Sequence, residues 1–372
     1  MPMEKMARLI AFYLPQFHPI PENDLWHGAG FTEWTNVAKA KPLFRGHYQP
    51  NIPADLGFYD LRVSETREAQ AKLAREYGIE GFCYWHYWFG NGKRLLERPF
   101  NEVLSSGKPD FPFCLGWAND SWSGIWYGTP DRLLIEQTYP GSEDHEAHFY
   151  ALLDAFRDKR YMTVDGKLIF LINSPTRLPE CDAFTAQWRT LAVREGLKGF
   201  HFIGSEVKCP EVYGCDATVA DSPYVFLKPR MCERLINKAT RLLKAFGIKY
   251  NIFLKNRVLM VRKYKDLMTF LAQEQLSENE YPLVIPNWDN TPRSGRNGLV
   301  VQGSSPELFK TMLLTALDKI GQKEEQEQRI IFVKSWNEWA EGNYLEPDLK
   351  YGHRYLNVIK ECIYENEFME LG

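Results

Sequence analysis

Short, uninterrupted apolar runs recur along this chain, and segments with helical periodicity separate most of them. Apolar residues at consecutive positions are typical of parallel strands that are buried on both faces. Strands that alternate with helices along a chain are typical of α/β proteins with a parallel sheet. We therefore predict an α/β fold whose eight candidate strands are 8–15, 80–88, 112–119, 167–173, 200–206, 217–222, 281–287 and 329–337.

The helical segments between these runs allow the architecture to be predicted. Ser305, followed by Pro306 and Glu307, is a helix start, since serine caps the N-terminus and proline suits the first helical position. Eight strands with intervening helices predict a (β/α)8 TIM-type barrel, with residues 1–372 as a single catalytic domain. A doubly wound open sheet is the alternative, although no GxGxxG motif or P-loop supports nucleotide binding there. The candidate helices are 64–77, 95–106, 142–157, 182–195, 231–246, 305–320 and 354–365.

Polar and aromatic residues follow five of the candidate strands. Barrel enzymes build their sites from the carboxyl ends of several strands, so these residues are expected to meet at one mouth. Packing under a loop would explain any single tryptophan, but it explains five similar strand ends poorly. The segments concerned are 13–18, 84–88, 117–120, 287–289 and 336–338.

The segment 336–342 carries the strongest chemical signal, because it places Glu338 and Glu341 among tryptophans directly after an apolar run. Glycosidic-bond chemistry uses two carboxyl groups, one to protonate the leaving oxygen and one to act on the electrophilic carbon. The two glutamates could instead cap a helix N-terminus, where the dipole favours carboxylates. Trp336, Asn337 and Trp339 in the same seven residues favour the catalytic interpretation.

Two insertions interrupt the barrel pattern. Residues 16–60 form a long segment after the first strand, and loops longer than about 12–15 residues are usually functional or disordered. Its aromatic content argues against disorder, so we predict an active-site loop at the carboxyl-terminal face. A basic helical insertion is predicted at about 226–280, where residues 228–265 hold twelve Lys/Arg and one acid. Its charges are either solvated or attract an anionic partner, such as an acidic glycan or membrane headgroups.

Composition excludes several classes of protein. A formal net charge of -3 gives no general attraction to nucleic acid. No apolar run is long enough to span a membrane, and the N-terminus lacks a signal-peptide pattern. Seven cysteines without a CxxC pair indicate reduced thiols and a cytoplasmic setting. Several histidines and acids share the 16–60 segment without HxH or HExxH spacing, so neither a metal nor another cofactor is predicted.

Several motifs, taken in order, resemble the WbsX-type family, which is often named as glycosyltransferases of polysaccharide gene clusters. More distantly, the chain is similar to glycoside hydrolase family 99. The matching motifs cover most of the chain and lie at residues 11–18, 30–34, 49–59, 81–89, 117–119, 287–293, 336–342 and 344–348.

The similarity to family 99 implies a (β/α)8 barrel and endo-acting, retaining cleavage of α-mannosidic linkages. By this resemblance Glu338 would deprotonate the sugar 2-hydroxyl, and Glu341 would act as the general acid and base. The WbsX resemblance implies an alternative, a glycosyltransferase in capsule, O-antigen or lipopolysaccharide biosynthesis. A non-catalytic glycan-binding barrel is a further alternative, against which the intact pair of glutamates argues.

An oligosaccharide or polysaccharide is the predicted substrate. We expect Trp85, Trp88 and Trp117 to stack on sugar rings, and Glu33, His86 and Asn119 to contact hydroxyl groups. The predicted substrate-binding residues are Tyr13, His18, Trp26, Glu33, Trp34, Trp85, His86, Trp88, Trp117, Asn119, Trp288, Asp289, Trp336, Asn337 and Trp339.

Overall fold

Eight parallel strand segments form a closed sheet at the centre of the molecule. The computed structural model describes residues 5–124, 129–205, 207–219, 226, 259–273 and 275–364. Each barrel strand overlaps one of the eight predicted strands. They are β1 (Arg8–Tyr13), β2 (Ile79–His86), β3 (Phe113–Trp117), β4 (Lys167–Ile172), β5 (Phe200–Ser205), β6 (Ala217–Val219), β7 (280–284) and β8 (Ile330–Val333).

The β7 segment closes the barrel by pairing in two halves. Glu280–Tyr281 pairs with β6, whereas Leu283–Val284 pairs with β8. Between the halves, the Pro282 carbonyl accepts a hydrogen bond from the Phe332 N–H at 3.0 Å. Neighbours around the ring are otherwise β6 to β5, β5 to β4, β4 to β3, β3 to β2, β2 to β1 and β1 to β8. The predicted (β/α)8 barrel is confirmed, and the open doubly wound sheet is excluded.

Helices surround the barrel, and those that were predicted within the described residues begin and end within a few residues of the predicted positions. Ser305 caps its helix as predicted, since its hydroxyl accepts the Leu308 N–H at 3.3 Å. The predicted helix 142–157 is divided in two at Leu152. The helices are α1 (Pro21–His27), α2 (Glu33–Lys39), α3 (Ser64–Glu76), α4 (Arg98–Ser106), α5 (Ser142–Ala151), α6 (Leu153–Phe156), α7 (Cys181–Arg194), α8 (Tyr264–Gln273), α9 (Thr291–Ser294), α10 (Pro306–Ile320) and α11 (Arg354–Ile363).

The 16–60 segment contains two short helices, α1 and α2, which the sequence analysis did not predict. Pro21 occupies the start of α1, and its fixed φ angle suits the first helical turn. A capping box formed by Thr32 and Thr35 begins α2. These local signals therefore order a segment that connects β1 to α3.

Short strands lie outside the barrel, most of them at its carboxyl-terminal end. Trp122–Gly124 and Thr129–Ile135 form one antiparallel pair, and Asn337–Glu338 and Asn343–Tyr344 form another. Met260–Lys263, Leu299–Gln302 and Trp288–Asp289 form a three-stranded sheet, and Thr163–Val164 pairs with the start of β4.

The core fills both the barrel and the layer beneath the helices. All four residues of β8 are buried, as expected for a strand covered on both faces. Under α7, the fully buried Trp188 packs against Phe149, Phe170 and Phe200, which lie on three different elements. In the described part of the chain, no helix is long and apolar enough to cross a membrane. The predicted helix 231–246 and most of the basic stretch 228–265 lie outside the described residues.

The Ser305 cap can be tested by its effect on stability. Ser305→Ala removes the acceptor for the Leu308 N–H, and we expect the free energy of unfolding to fall by about 1 kcal/mol. Thr311→Ala on the exposed face of α10 is the matched control and should change stability by less than about 0.5 kcal/mol. Urea denaturation followed by circular dichroism measures both; equal losses in the two variants would contradict the capping role.

Candidate active site

The 336–342 segment turns back on itself directly after β8. Asn337–Glu338 pairs antiparallel with Asn343–Tyr344, and a short 3-10 helix, Trp339–Glu341, makes the turn. Gly342 ends the turn at φ +62°, and a Cβ atom there would lie 2.7 Å from the Asp289 backbone nitrogen. Only glycine fits this position, so the turn is held closely against the segment that follows β7.

Asn337 fixes this turn to the first strand of the barrel. Its Oδ1 accepts from the Leu14 N–H at 2.7 Å, and its Nδ2 donates to the Leu14 carbonyl at 3.0 Å. The Trp336 N–H donates to the Phe12 carbonyl at 2.8 Å. Both side chains are fully buried, so these two predicted substrate-binding residues lie beneath the mouth and position the glutamates.

Glu338 is a buried carboxylate with several stabilising neighbours. Trp85 Nε1 donates to its Oε1 at 3.0 Å, and Lys334 Nζ lies 3.7 Å from the same oxygen. Burial alone would raise the pKa of Glu338, but the charges of Lys334 and Arg293 and the Trp85 hydrogen bond lower it below the usual glutamate value. Glu338 is therefore ionised at neutral pH.

Arg293 connects three glutamates from two distant parts of the chain. Its Nε donates to Glu33 at 3.0 Å, while one terminal nitrogen lies 2.5 Å from Glu341 and 3.8 Å from Glu338. Burial opposes its charge, but the three carboxylates together raise the pKa of Arg293. The pKa of Glu33 is also raised, because burial and the neighbouring Glu341 and Glu338 outweigh its bond to Arg293.

A cavity of about 330 Å³ opens over this cluster at the carboxyl ends of the strands. Of the residues predicted from sequence, Glu33, Trp85, Glu338 and Glu341 line it. They share the cavity with residues that the sequence analysis did not select, mainly Asn23, Asn36, Tyr87, Trp122, Arg293 and Lys334.

The end of β2 shows why some predicted aromatic residues do not reach the cavity. Trp85 and Tyr87 line it, whereas His86 and Trp88 face the helical layer, as expected for side chains that alternate along extended backbone. His86 Nε2 lies 2.8 Å from His148 Nε2, and the Trp88 ring stacks on the same histidine at 4.6 Å. Burial lowers the pKa of His86 well below its usual value, so the ring is neutral.

Other predicted residues make structural hydrogen bonds away from this cavity. Trp34 Nε1 donates to the Tyr59 carbonyl, and Trp339 Nε1 donates to Glu346 at 2.6 Å. Four other predicted residues also have side chains hydrogen-bonded within the protein. The pairs are Tyr13 with the Gln70 side chain, His18 with the Pro15 carbonyl, Trp117 with the Trp88 carbonyl and Asn119 with the Ser174 carbonyl.

Three further predicted residues lie near the cavity without lining it. Trp26 packs edge-on against Trp122, with ring centroids 6.0 Å apart, and so supports an aromatic residue of the wall. Trp288 and Asp289 line a neighbouring cavity instead.

The residues that the sequence analysis missed carried weak signals. Lys334 follows β8 and Arg293 lies in a polar segment, so nothing in their spacing separates them from surface cations. Asn23 lies on α1, is fully buried and lines the cavity, yet neither of its amide atoms has a hydrogen-bond partner among the described residues. An unpaired buried amide costs about 1–3 kcal/mol, which makes Asn23 a candidate to bind substrate.

The donor set of this site offers charged hydrogen-bonding groups for a polar ligand. Within the described residues, no group of three or more His, Cys, Asp or Glu side chains could hold a metal ion. The three glutamates are instead arranged around Arg293. The arrangement can therefore move protons and stabilise charge through its own side chains.

A closed (β/α)8 barrel with paired glutamates in a cavity at the carboxyl ends of its strands has the organisation of barrel enzymes. The family model for "Glycosyltransferase WbsX" matches residues 9–359. The chain therefore belongs to the WbsX glycosyltransferase family, and the resemblance seen in its motifs is confirmed. This membership supports the broader expectation of a carbohydrate-active enzyme.

Curated relatives agree with this assignment. The WxcX protein of Xanthomonas campestris pv. campestris strain B100, described as uncharacterized, is 36% identical over 364 residues. The match covers 96% of this chain and 50% of the relative. The WxcX protein of strain ATCC 33913 is 37% identical, and that match also covers 96% of this chain and 50% of the relative. The chain thus spans about half the length of the curated relatives it matches.

Solved structures share the fold at low sequence identity. The GH99 endo-alpha-mannosidase from Bacteroides thetaiotaomicron, solved with BIS-TRIS-Propane, has a TM-score of 0.55 and 15% identity, with 95% of each chain covered. A structure described as a glycoside hydrolase-like protein has a TM-score of 0.55 and 16% identity, covering 98% of this chain and 97% of the other. These similarities confirm the barrel.

The group formed by Arg293 and its three glutamates, Glu33, Glu338 and Glu341, predicts that substitution of Arg293 lowers stability in a pH-dependent way. Arg293→Met leaves three buried carboxylates without the cation that they share, and we expect the free energy of unfolding at pH 7 to fall by about 3–5 kcal/mol. Without the cation, the folded-state pKa values of Glu33 and Glu338 rise, and that of Glu33 lies further above the unfolded value of about 4.3. The folded state then binds more protons than the unfolded state, so the loss should be smaller at pH 5 than at pH 7.

Denaturant unfolding at pH 5 and pH 7 measures both effects. Arg157→Met is the matched control, because Arg157 pairs with Glu195 on the surface and should cost at most about 1 kcal/mol. If Arg293→Met lowers the free energy of unfolding equally at the two pH values, Arg293 does not stabilise buried carboxylates as described.

Proposed function

We propose that this protein acts on glycosidic bonds of an oligosaccharide or polysaccharide, with Glu338 and Glu341 as the two catalytic carboxyl groups. The observation that carries the proposal is their common contact with Arg293, which presents two glutamates to one cavity. Trp85, Tyr87 and Trp122 supply aromatic surface in the same cavity. This combination suits a sugar, which has apolar ring faces and hydroxyl groups at its edge.

The contact with Arg293 also limits how far apart the two carboxylates can lie. One Arg293 nitrogen is 2.5 Å from a Glu341 oxygen and 3.8 Å from a Glu338 oxygen, so these oxygens are no further apart than the sum of the two distances. This upper bound for the two oxygens allows the carboxyl spacing of roughly 5–5.5 Å that retaining glycosidases use, whereas inverting ones use roughly 6.5–9.5 Å. We therefore favour a retaining reaction.

In the proposed reaction, Glu338 begins as the base and Glu341 as the acid. Ionised Glu338 takes the proton of the sugar 2-hydroxyl, whose oxygen attacks the anomeric carbon. The bond to the leaving oxygen breaks as Glu341 protonates that oxygen. Glu341 then takes a proton from water, which attacks the anomeric carbon, while Glu338 returns its proton to the 2-oxygen. Direct attack by Glu338 on the anomeric carbon is the second retaining route.

The proton that this reaction needs can be held within the cluster. Three carboxyl groups face two cations, Arg293 and Lys334, so one carboxyl that keeps its proton makes the cluster neutral. The raised pKa of Glu33 favours it as the group that holds this proton before substrate binds. Glu33 and Glu341 share Arg293, so the proton passes from Glu33 to Glu341 when substrate binds, and Glu341 returns it to Glu33 after the second step.

The two glutamates give the main test of the proposal. We expect Glu338→Gln and Glu341→Gln each to lower kcat by at least about 10²-fold, the usual scale for acid–base catalysis, while glycan binding persists. Glu361→Gln, at an exposed position on α11, is the matched control and should keep the wild-type rate. The assay follows cleavage of α-mannan and of the source organism's surface polysaccharide, with product stereochemistry by NMR; wild-type turnover in either variant would reject the assignment.

The lowered pKa of Glu338 predicts the acid limb of the pH profile. Because the charged carboxylate is the active form, kcat/KM should hold until the pH falls below the usual glutamate value of about 4.3. Lys334→Met removes the cation that contributes most to lowering this pKa, so the acid limb should move to higher pH. Lys310→Met, on the outer face of α10, should leave the limb in place. An unchanged limb in Lys334→Met would contradict the role of Glu338 as the ionised base.

Glycosyl transfer is the second candidate function, and the family's own description favours it. The transferase would use the same glutamates, but a sugar hydroxyl would replace water in the second step, in cytoplasmic assembly of capsule, O-antigen or lipopolysaccharide. Incubation with labelled oligosaccharide acceptors distinguishes the two outcomes. Longer labelled products identify a transferase, and reducing-end release alone identifies a hydrolase.

A further inference from the structure

A second cavity of about 250 Å³ lies beside the candidate active site at the same end of the barrel. Residues that follow β7 and β8 line it, together with residues 46–51 of the segment after β1. The wall between the two cavities is thin. Gly342 lines the second cavity while the adjacent Glu341 lines the first, and Lys334 Nζ, in the first cavity, lies 5.9 Å from the Trp288 ring centroid.

Aromatic side chains form an open surface in this second cavity. Tyr48 is 45% exposed, which is unusual for an aromatic ring in an ordered loop that borders a cavity. Lys350 Nζ lies 4.6 Å from the ring centroids of both Tyr48 and Tyr351, so the two rings flank one cation. Aromatic rings with a polar tip suit ligands that are apolar on one face and polar at the edge.

The carboxylates of the second cavity are already occupied by internal hydrogen bonds. Asp289 accepts from His47, Gln49 and Thr291, and these bonds lower its pKa although burial opposes the shift. Asp348 accepts from the Tyr344 hydroxyl and from two backbone N–H groups. Both aspartates therefore shape the cavity rather than bind a ligand.

Two amide side chains remain available for a ligand. Asn51 and Gln302 both line the cavity, and neither side chain makes a hydrogen bond to another described residue. An amide offers a donor and an acceptor at once, which matches neighbouring hydroxyl groups of a sugar ring. The groups that the second cavity offers to a ligand are thus the exposed Tyr48 ring, the Asn51 and Gln302 amides and the Lys350 ammonium group.

We propose that this second cavity is a glycan-binding subsite for a pyranose residue of the same chain whose glycosidic bond lies in the first cavity. The inference rests on the proposed function and deepens it, because it assigns a substrate longer than the first cavity holds. Tyr48 stacks on the sugar ring, and Asn51 and Gln302 bind its hydroxyl groups. Trp288, predicted from sequence to bind substrate, lies between the two cavities.

A subsite of this kind makes affinity depend on chain length. A disaccharide fills only the first cavity, whereas a longer oligosaccharide spans both and gains the second contact as an intramolecular one. Removal of the Tyr48 ring should therefore weaken binding of a long ligand and leave a short one unaffected. A merely structural role of Tyr48 would weaken both equally.

The experiment titrates size-fractionated oligosaccharides from the source organism's surface polysaccharide into the Glu341→Gln protein, by calorimetry. We expect Tyr48→Ala to weaken binding of hexasaccharides about tenfold and to leave disaccharide binding unchanged, while Tyr48→Phe keeps the wild-type affinities. Gln302→Ala, at an exposed position, should weaken hexasaccharide binding in the same selective way. Tyr150→Ala, at an exposed position on α5, is the control and should change neither ligand.

Three results would overturn the subsite. Tyr48→Ala could weaken the binding of disaccharides and hexasaccharides equally, or neither Tyr48→Ala nor Gln302→Ala could weaken hexasaccharide binding. The third result is that the Glu341→Gln protein with an intact second cavity binds disaccharides and hexasaccharides with equal affinity. Failure of the proposed function is seen separately, as wild-type turnover in Glu338→Gln or Glu341→Gln. Differences among the variants in the binding assay report on the second cavity, because all of them share the same Glu341→Gln background.

Discussion

The guanidinium of Arg293 holds together three parts of the chain that are far apart in sequence. It reaches Glu33 at the start of α2 and both Glu338 and Glu341 after β8, and all four side chains are largely buried. A buried charge is costly unless it is paired, so each partner is stable in this position only when the others are present. The 16–60 segment and the turn after β8 are therefore fixed relative to each other by charge as well as by packing.

This dependence explains how the site shifts the pKa values of two glutamates in opposite directions. Glu338 faces Lys334 and the Trp85 N–H, which favour its ionised form, whereas Glu33 faces two other carboxylates and is pushed toward its neutral form. Neighbouring carboxyl groups whose pKa values are shifted in opposite directions are typical of acid–base sites. The barrel supplies this asymmetry, because the two residues follow neighbouring strands, β1 and β8, and meet different partners at the cavity mouth.

The fold could be predicted from sequence because buried parallel strands have an apolar signature along the whole strand, as in β8. The motif around Glu338 and Glu341 could be found because its residue types are unusual after such a strand. The aromatic strand ends were harder to interpret, since His86 and Trp88 alternate with Trp85 and Tyr87 and face away from the cavity. Arg293 and Lys334 could not be selected, because their function arises from contacts with residues distant in the chain, and no local spacing encodes those contacts.

The two-part pairing of β7 gives the barrel one weak seam. Pro282 has no N–H to donate, and within the described residues β7 pairs with β6 through Glu280–Tyr281 and with β8 through Leu283–Val284, two residue pairs on each side. Local opening should begin there, so backbone amides of β6 and β7 should exchange with deuterium sooner than those of β1 to β3, which pair along longer registers. Residues 287–289 and Arg293 follow this seam in the chain. Fluctuations of the seam would therefore reach Trp288, Asp289 and Arg293 first, while the opposite half of the barrel stays closed.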